Sequence, residues 1–141
     1  MTYKLHYIIL LESYFKRAPF IHFESKNIKN DIDIKHRHEI QENLLNVIVS
    51  IDFSTHIDNE EVIKAYIEMA GLFEFSNEGN ENPLPIEDFA KINAPAIIFP
   101  FVREHLANLS MKAGIQPVVI PPVNFIELAK QERNNKDAHS N

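Results

Sequence analysis

The chain has 141 residues, 45% of them hydrophobic, with a net charge of −6, ten Phe, no Trp and no Cys. That length fits one domain with a core of its own. The acid excess argues against binding to nucleic acid or to an anionic membrane surface, since both need clustered Lys and Arg, and the missing thiols exclude disulfides, thiolate zinc sites and cysteine catalysis.

The apolar run 8–11 is ended by Glu12 and is too short for a signal peptide's apolar stretch. The run 94–102 holds Pro95 and Pro100 and falls well short of the ~20 residues that span a bilayer. A cytoplasmic protein with no membrane insertion is the expectation.

A first strand is expected from about Tyr3 to Phe15. Leu5, Tyr7, Ile9 and Leu11 lie on one side of it, but Ile8 and Leu10 are apolar on the other. It is either a central strand buried on both faces or one whose second face meets a partner. Residues 18–41 read as a long irregular link with β-like pieces such as 31–34, and links of that length are often functional. Leu45, Val47, Val49, Ile51 and Phe53 then alternate with more polar residues, the period of a half-buried strand. A second amphipathic strand runs over 63–75, with Ile63, Ala65, Ile67, Met69, Gly71, Phe73 and Phe75 on one side. The polar segment 56–61 suits a hairpin loop, so the two strands pair antiparallel.

Residues 77–85 read as a polar loop. Asn93 is placed to cap a helix with Pro95 in its first turn. Ile98, Val102, Leu106, Leu109 and Ala113 recur at helical spacing, and Gly114 follows as a C′ residue. Pro100 should kink this helix or mark its true start. The short apolar run 118–120 is fenced by Pro117, Pro121 and Pro122, which suits an edge strand or an extended segment. Asn124 with Glu127 three residues on is an N-cap pattern for a last helix. From Gln131 the chain is polar, so a domain over 1–132 and a disordered tail over 133–141 are expected. Strands followed by helices give an α+β fold, a sheet covered on one face.

Few residues invite chemistry. His36 and His38 would chelate a metal if they shared a strand face, but Lys35 and Arg37 flank them, and a solvated loop is the plainer reading. His105 is five residues from Ser110, so the two do not share a helix face well, and no nucleophile motif occurs. Glu12, Glu68 and Glu74 read as an acidic patch or simply as the wet face of a sheet. With three glycines and no phosphate-cradling loop, no nucleotide or other cofactor is expected. The residues alone describe an α+β binding domain and no enzyme.

Several segments resemble the SecB family of export chaperones. Ile92-Asn93-Ala94-Pro95-Ala96-Ile97-Ile98-Phe99-Pro100-Phe101-Val102-Arg103-Glu104 is similar to the family's Pro-x-Ile-Leu-Phe-Pro-Tyr-Ala-Arg-Glu opening of its long helix. Pro121-Pro122-Val123-Asn124-Phe125 with Leu128 is similar to its Ala-Pro-Val-Asn-Phe-Asp-x-Leu. Between them, 114–120 resembles a Pro-x-Leu-x-Leu strand, and Glu68-Met69-Ala70-Gly71-Leu72-Phe73 resembles Glu-x-x-Gly-Ile-Phe. The first half matches only through Glu12-Ser13-Tyr14-Phe15 and Ala18-Pro19.

The resemblance implies a four-stranded antiparallel sheet with a long helix and a C-terminal helix packed on one face. It implies a homotetramer, a dimer of dimers, that holds unfolded precursor polypeptides competent for export without ATP. A polypeptide-binding groove would include Ile32 and Ile34 from a crossover segment and Phe125 and Leu128 from the last helix. A sheet face for docking the SecA motor ATPase would include Glu12 and Glu68, although Lys16 and Tyr66 stand where the family usually carries acids. A chaperone dedicated to one partner, such as an antitoxin, and a non-catalytic oligomeric adaptor are the alternatives.

Overall fold

A computed structural model of the chain describes residues 2–77 and 84–139, with side chains described up to 135. Four strands come first: β1 (Thr2–Arg17), β2 (Ile28–Gln41), β3 (Leu44–Ile57) and β4 (Glu60–Ser76). A helical turn, α1 (Ile86–Asp88), leads through a π-helical turn (Phe89–Asn93) into the long α2 (Ala94–Lys112), and α3 (Phe125–His139) ends the described chain. The sheet order is β1-β4-β3-β2, and every neighbouring pair is antiparallel. This is the expected α+β sheet with its helices on one face.

The β3–β4 hairpin is tighter than the expected loop over 56–61. Asp58 and Asn59 alone turn the chain, at φ 52° and 67°. Two left-handed residues make the type I′ turn whose twist matches the flanking strands. As expected, Leu45, Val47, Val49, Ile51 and Phe53 face inward and are buried.

The supposed link over 18–41 is mostly strand: only residues 18–27 connect β1 to β2. In β2 the inward positions are Ile28, Asn30, Ile32, Ile34, His36, His38 and Ile40, and charges fill the positions between them. The alternation is hidden because polar residues take three inward places. β2 lies at a sheet edge, where charge is tolerated and discourages unwanted pairing.

β1 is the other edge strand, so it is not buried on both faces. Its register against β4 shifts between Leu5 and Tyr7 and again between Leu10 and Glu12. Each bulge inserts one residue and moves the later side chains to the opposite face. Tyr3 and Leu5, then Ile8 and Leu10, then Ser13 and Phe15 therefore share the helix side.

α2 lies over β3 and β4, burying Ala94, Ile98, Phe99, Val102 and Leu106. It comes close at Gly71, where an added Cβ would sit 2.8 Å from Ile98 Cδ1. Asn93 does not cap α2. It is itself helical, at φ −74° and ψ −46°, with no side-chain capping bond. The Ala94 N–H donates instead to the Phe89 carbonyl, five residues back. Pro95 has no N–H to give Lys91, and its ring would clash with that carbonyl; the wider π turn relieves both. The helix continues through Pro100, which lies on its exposed side. Gly114 ends it at φ +72°, as a C′ glycine does.

Residues 113–124 are irregular and no strand forms over 118–120. Asn124 caps α3 as expected: its Oδ1 accepts from the Glu127 N–H at 3.2 Å. The boundary placed at 132 falls within α3. The loop expected over 77–85 lies largely outside the described residues.

Candidate functional site: an apolar groove beside β2

An open trough of about 860 Å³ crosses the helix side of the sheet, beyond the C-terminal end of α2. Its floor is Ile28, Asn30 and Ile32 of β2, Phe53 and Thr55 of β3, and Ile63 of β4. Met111 and the segment from Gly114 to Val119 form one wall, and Phe23 from the β1–β2 connection closes another side. The left-handed turn at Gly114 carries the chain off the helix and over the sheet. Arg17 holds that end in place, donating to the Ala113 carbonyl at 2.7 Å.

Many of these side chains are wetted rather than packed. Phe23 is 50% exposed, Ile32 43%, Met111 57% and Val119 81%. Apolar area left in water forgoes about 25 cal/mol per Å² of burial, so a contiguous patch of this kind marks an interaction surface. Because β2 is a terminal strand, alternate backbone N–H and C=O groups along it point away from the sheet. The trough thus offers apolar burial beside a strand edge able to pair with extended chain. Met111 adds an unbranched, adaptable side chain.

Of the four groove residues expected from the resemblance, Ile32 lines this trough. It does so from strand β2 and not from a crossover segment; its neighbour Ile34, on the same strand, is half-buried against the core. Phe125 is 3% exposed, edge-on to Phe99 at 5.8 Å and to His36 at 6.1 Å. It borders a separate hollow of about 390 Å³, with Ile92, Ala96, Pro122, Val123 and Ile126. Leu128 packs partly buried against the core. Sequence reasoning missed Phe23, Ile28, Met111 and Val119. Their signal is apolar residues standing in otherwise polar or proline-fenced stretches.

On the opposite face of the sheet, Glu12 stands directly across from Glu68. Glu68 is held by Arg37 at 2.7 Å and its side chain is only 13% exposed, whereas Glu12 is exposed. The row continues as Tyr14 opposite Tyr66 and Lys16 opposite Lys64.

The histidines do not lie in a solvated loop. His36 points inward beneath α3 with its side chain 5% exposed, and Glu132 lies 3.5 Å from Nε2. Burial pushes its pKa below the usual histidine value, Glu132 pulls it back, and His38 and Lys91 push it further down. His38 Nε2 meets Glu87 Oε2 at 3.2 Å. Among the described residues no group of three or more metal-capable side chains forms. His105 Nε2 is hydrogen-bonded to Ser13 Oγ of β1 at 2.8 Å. Ser110 donates instead to the Leu106 carbonyl. Among the described residues no carboxylate orients the other nitrogen of His105, so the pair lacks the third member of a hydrolytic triad.

The helical run from the π turn to the residue after α2 follows β1 in the same direction and is tied to it at three points. Tyr3 stacks on Phe89, Ser13 bonds His105, and Arg17 reaches Ala113. Between those points Leu5 and Leu10 of β1 and Ile97 and Phe101 of α2 are exposed, a second apolar strip. No helix among the described residues is long and apolar enough to cross a membrane.

The family model described as preprotein translocase subunit SecB matches residues 11–136, and the chain belongs to the SecB family. Members of this family are non-catalytic chaperones. The protein-export protein SecB of Methylobacillus flagellatus is 30% identical over 98 residues, 70% of this chain and 60% of that one. That of Aromatoleum aromaticum is 28% identical over 120 residues, 82% of this chain and 72% of its own. The match to the first of these therefore spans under two thirds of the relative's length. A Mycobacterium tuberculosis SecB-like chaperone, solved with a ChAD peptide from the HigA1 antitoxin, shares the fold at a TM-score of 0.73 and 15% identity, over 86% of this chain and 91% of that one.

Proposed function

We propose that this protein is an ATP-independent holdase that binds unfolded precursor polypeptides and keeps them competent for export by the Sec pathway. The observation that carries the proposal is the open apolar groove along the edge of β2. An unfolded chain presents apolar side chains and unpaired backbone together, and this site has a complement to each. Such a protein works in the cytoplasm, where precursors emerge. The exposed strip of Leu5, Leu10, Ile97 and Phe101 is its self-association surface, and burying it in a second copy builds the homotetramer as a dimer of dimers. Glu12 and Lys16, exposed on the outer sheet face, are its contact with the SecA motor. Lys16→Glu should tighten that contact at low salt, and an unchanged affinity removes this face from the docking role.

Light scattering of a chemically unfolded, unrelated protein tests the central claim in the absence of ATP. Near-stoichiometric wild-type protein should suppress aggregation. Ile32→Asp should lose most of that suppression without loss of fold, because Ile32 is 43% exposed. A folded wild-type protein that suppresses nothing overturns the general holdase. A second reading, a chaperone dedicated to one partner such as an antitoxin, draws on the peptide held by the structurally similar mycobacterial protein. It predicts one co-purifying client and no effect on unrelated chains.

A further inference from the structure

The floor of the groove is not uniformly apolar, and its polar spot is constructed. Asn30 of β2 and Thr55 of β3 stand directly opposite each other. The rows on either side of them are Ile28 with Ile57 and Ile32 with Phe53. Thr55 is 4% exposed, and its hydroxyl donates to Asn30 Oδ1 at 2.7 Å. That bond fixes the carboxamide, with its oxygen turned to Thr55 and its Nδ2 turned away. Asn30 is exposed, so the two N–H donors on Nδ2 meet no acceptor among the described residues and face the water of the open groove. Val at 55 would fill nearly the same shape with no hydroxyl to satisfy, so the floor carries polarity that its packing does not require.

We infer that Asn30 sets the register of a bound chain by donating from Nδ2 to one of its backbone carbonyls. The inference rests on the polypeptide-binding reading and specifies its substrate class. The acceptor that every polypeptide carries at each residue is the main-chain carbonyl, and in a helix that carbonyl is already occupied. The ligand is therefore an extended segment. Ile28 and Ile32 are about 13 Å apart along β2, the span of positions i and i+4 in an extended chain. Apolar side chains at those two positions settle on Ile28 and Ile32; the residue at i+2 shares their face, so where it is glycine the backbone comes down over Asn30 and a carbonyl beside it meets Nδ2.

The test uses an extended, soluble peptide with leucines four residues apart and glycine midway between them, read by fluorescence anisotropy, and an apolar dye as comparison. Asn30→Leu should weaken the peptide about three- to tenfold, the effect of one net hydrogen bond, while dye binding holds or tightens. A peptide with an ester in place of the central amide, whose carbonyl is a poorer acceptor, should bind wild type more weakly. The same ester should change binding to Asn30→Leu little. Equal urea midpoints for the two proteins establish that the variant is folded. Unchanged peptide affinity in Asn30→Leu, or an ester penalty of the same size in both proteins, overturns the assignment while leaving the holdase intact. A wild-type protein that binds neither peptide nor unfolded protein overturns the holdase, and this contact with it.

Discussion

Replacing His36 with leucine should stabilise the protein, and more so in mild acid than at neutral pH. His36 is enclosed by elements that each present it with a charge or a ring. Phe125 and Glu132 face it from α3, Lys91 from the π turn and His38 from its own strand. Neither ring nitrogen has a hydrogen-bond partner of good geometry. Burial is the dominant influence and holds its pKa below the ordinary 6.5. The native ring is therefore neutral, and unfolding in mild acid takes up a proton. Its effect on stability is absent above about pH 6.5 and turns against the native state as pH falls from there through the lowered native value. In that window the native state loses at most about 1.4 kcal/mol per pH unit from this one group. Leucine removes the titration and also two unpartnered buried nitrogens, each a desolvation penalty on the order of 1 kcal/mol. Urea midpoints of both proteins at pH 7.5, 6.5 and 5.5 measure the difference. The gap should be positive at pH 7.5 and widen below 6.5. A gap that stays constant means a native pKa equal to the unfolded one, a gap that narrows in acid means a ring charged and paired with Glu132, and a leucine variant weaker at pH 7.5 means that leucine does not fill the site; each result refutes the reasoning.

Gly71→Ala should cost about 1–3 kcal/mol in urea unfolding, because the new methyl meets the buried Ile98 at 2.8 Å; adding Ile98→Val, which removes Cδ1, should restore part of it. Gly114→Ala meets nothing within 4 Å, so its cost should be that of left-handed backbone alone, about 1 kcal/mol in the same assay. Phe125→Ala should undock α3, seen as faster hydrogen exchange over residues 125–131 while β3 and β4 stay protected. Loss of protection throughout the sheet would instead make Phe125 part of the global core.

How much of each element was legible in the sequence depended on how strictly it kept its period. β3 alternates without interruption, and its five inward residues were legible at once. β1 holds two bulges, so its apolar residues change sides twice and read as two faces of one flat strand. β2 alternates well, but His36, His38 and Asn30 stand in its inward places and mask the pattern. The start of α2 was legible at Ala94, but not how it is made: Asn93 and Pro95 imitate a capped first turn, whereas Asn93 makes no capping bond and Pro95 acts through the carbonyl it would strike. The groove was legible at Ile32. Its other wall depends on where Gly114 sends the chain, a tertiary fact that no local spacing encodes.

The partner of β1 is the last strand of the sheet: Thr2 pairs with Ser76 and Arg17 with Ile63. β2, β3 and β4 form a meander of adjacent hairpins and can close as they are made. β1 is translated first and placed last. At 5–20 residues per second the ribosome leaves it unpaired for on the order of several seconds, displaying Leu5, Tyr7, Ile9, Leu10 and Leu11. A newborn copy of this protein therefore passes through a stage in which it resembles the unfolded chains that it is proposed to bind.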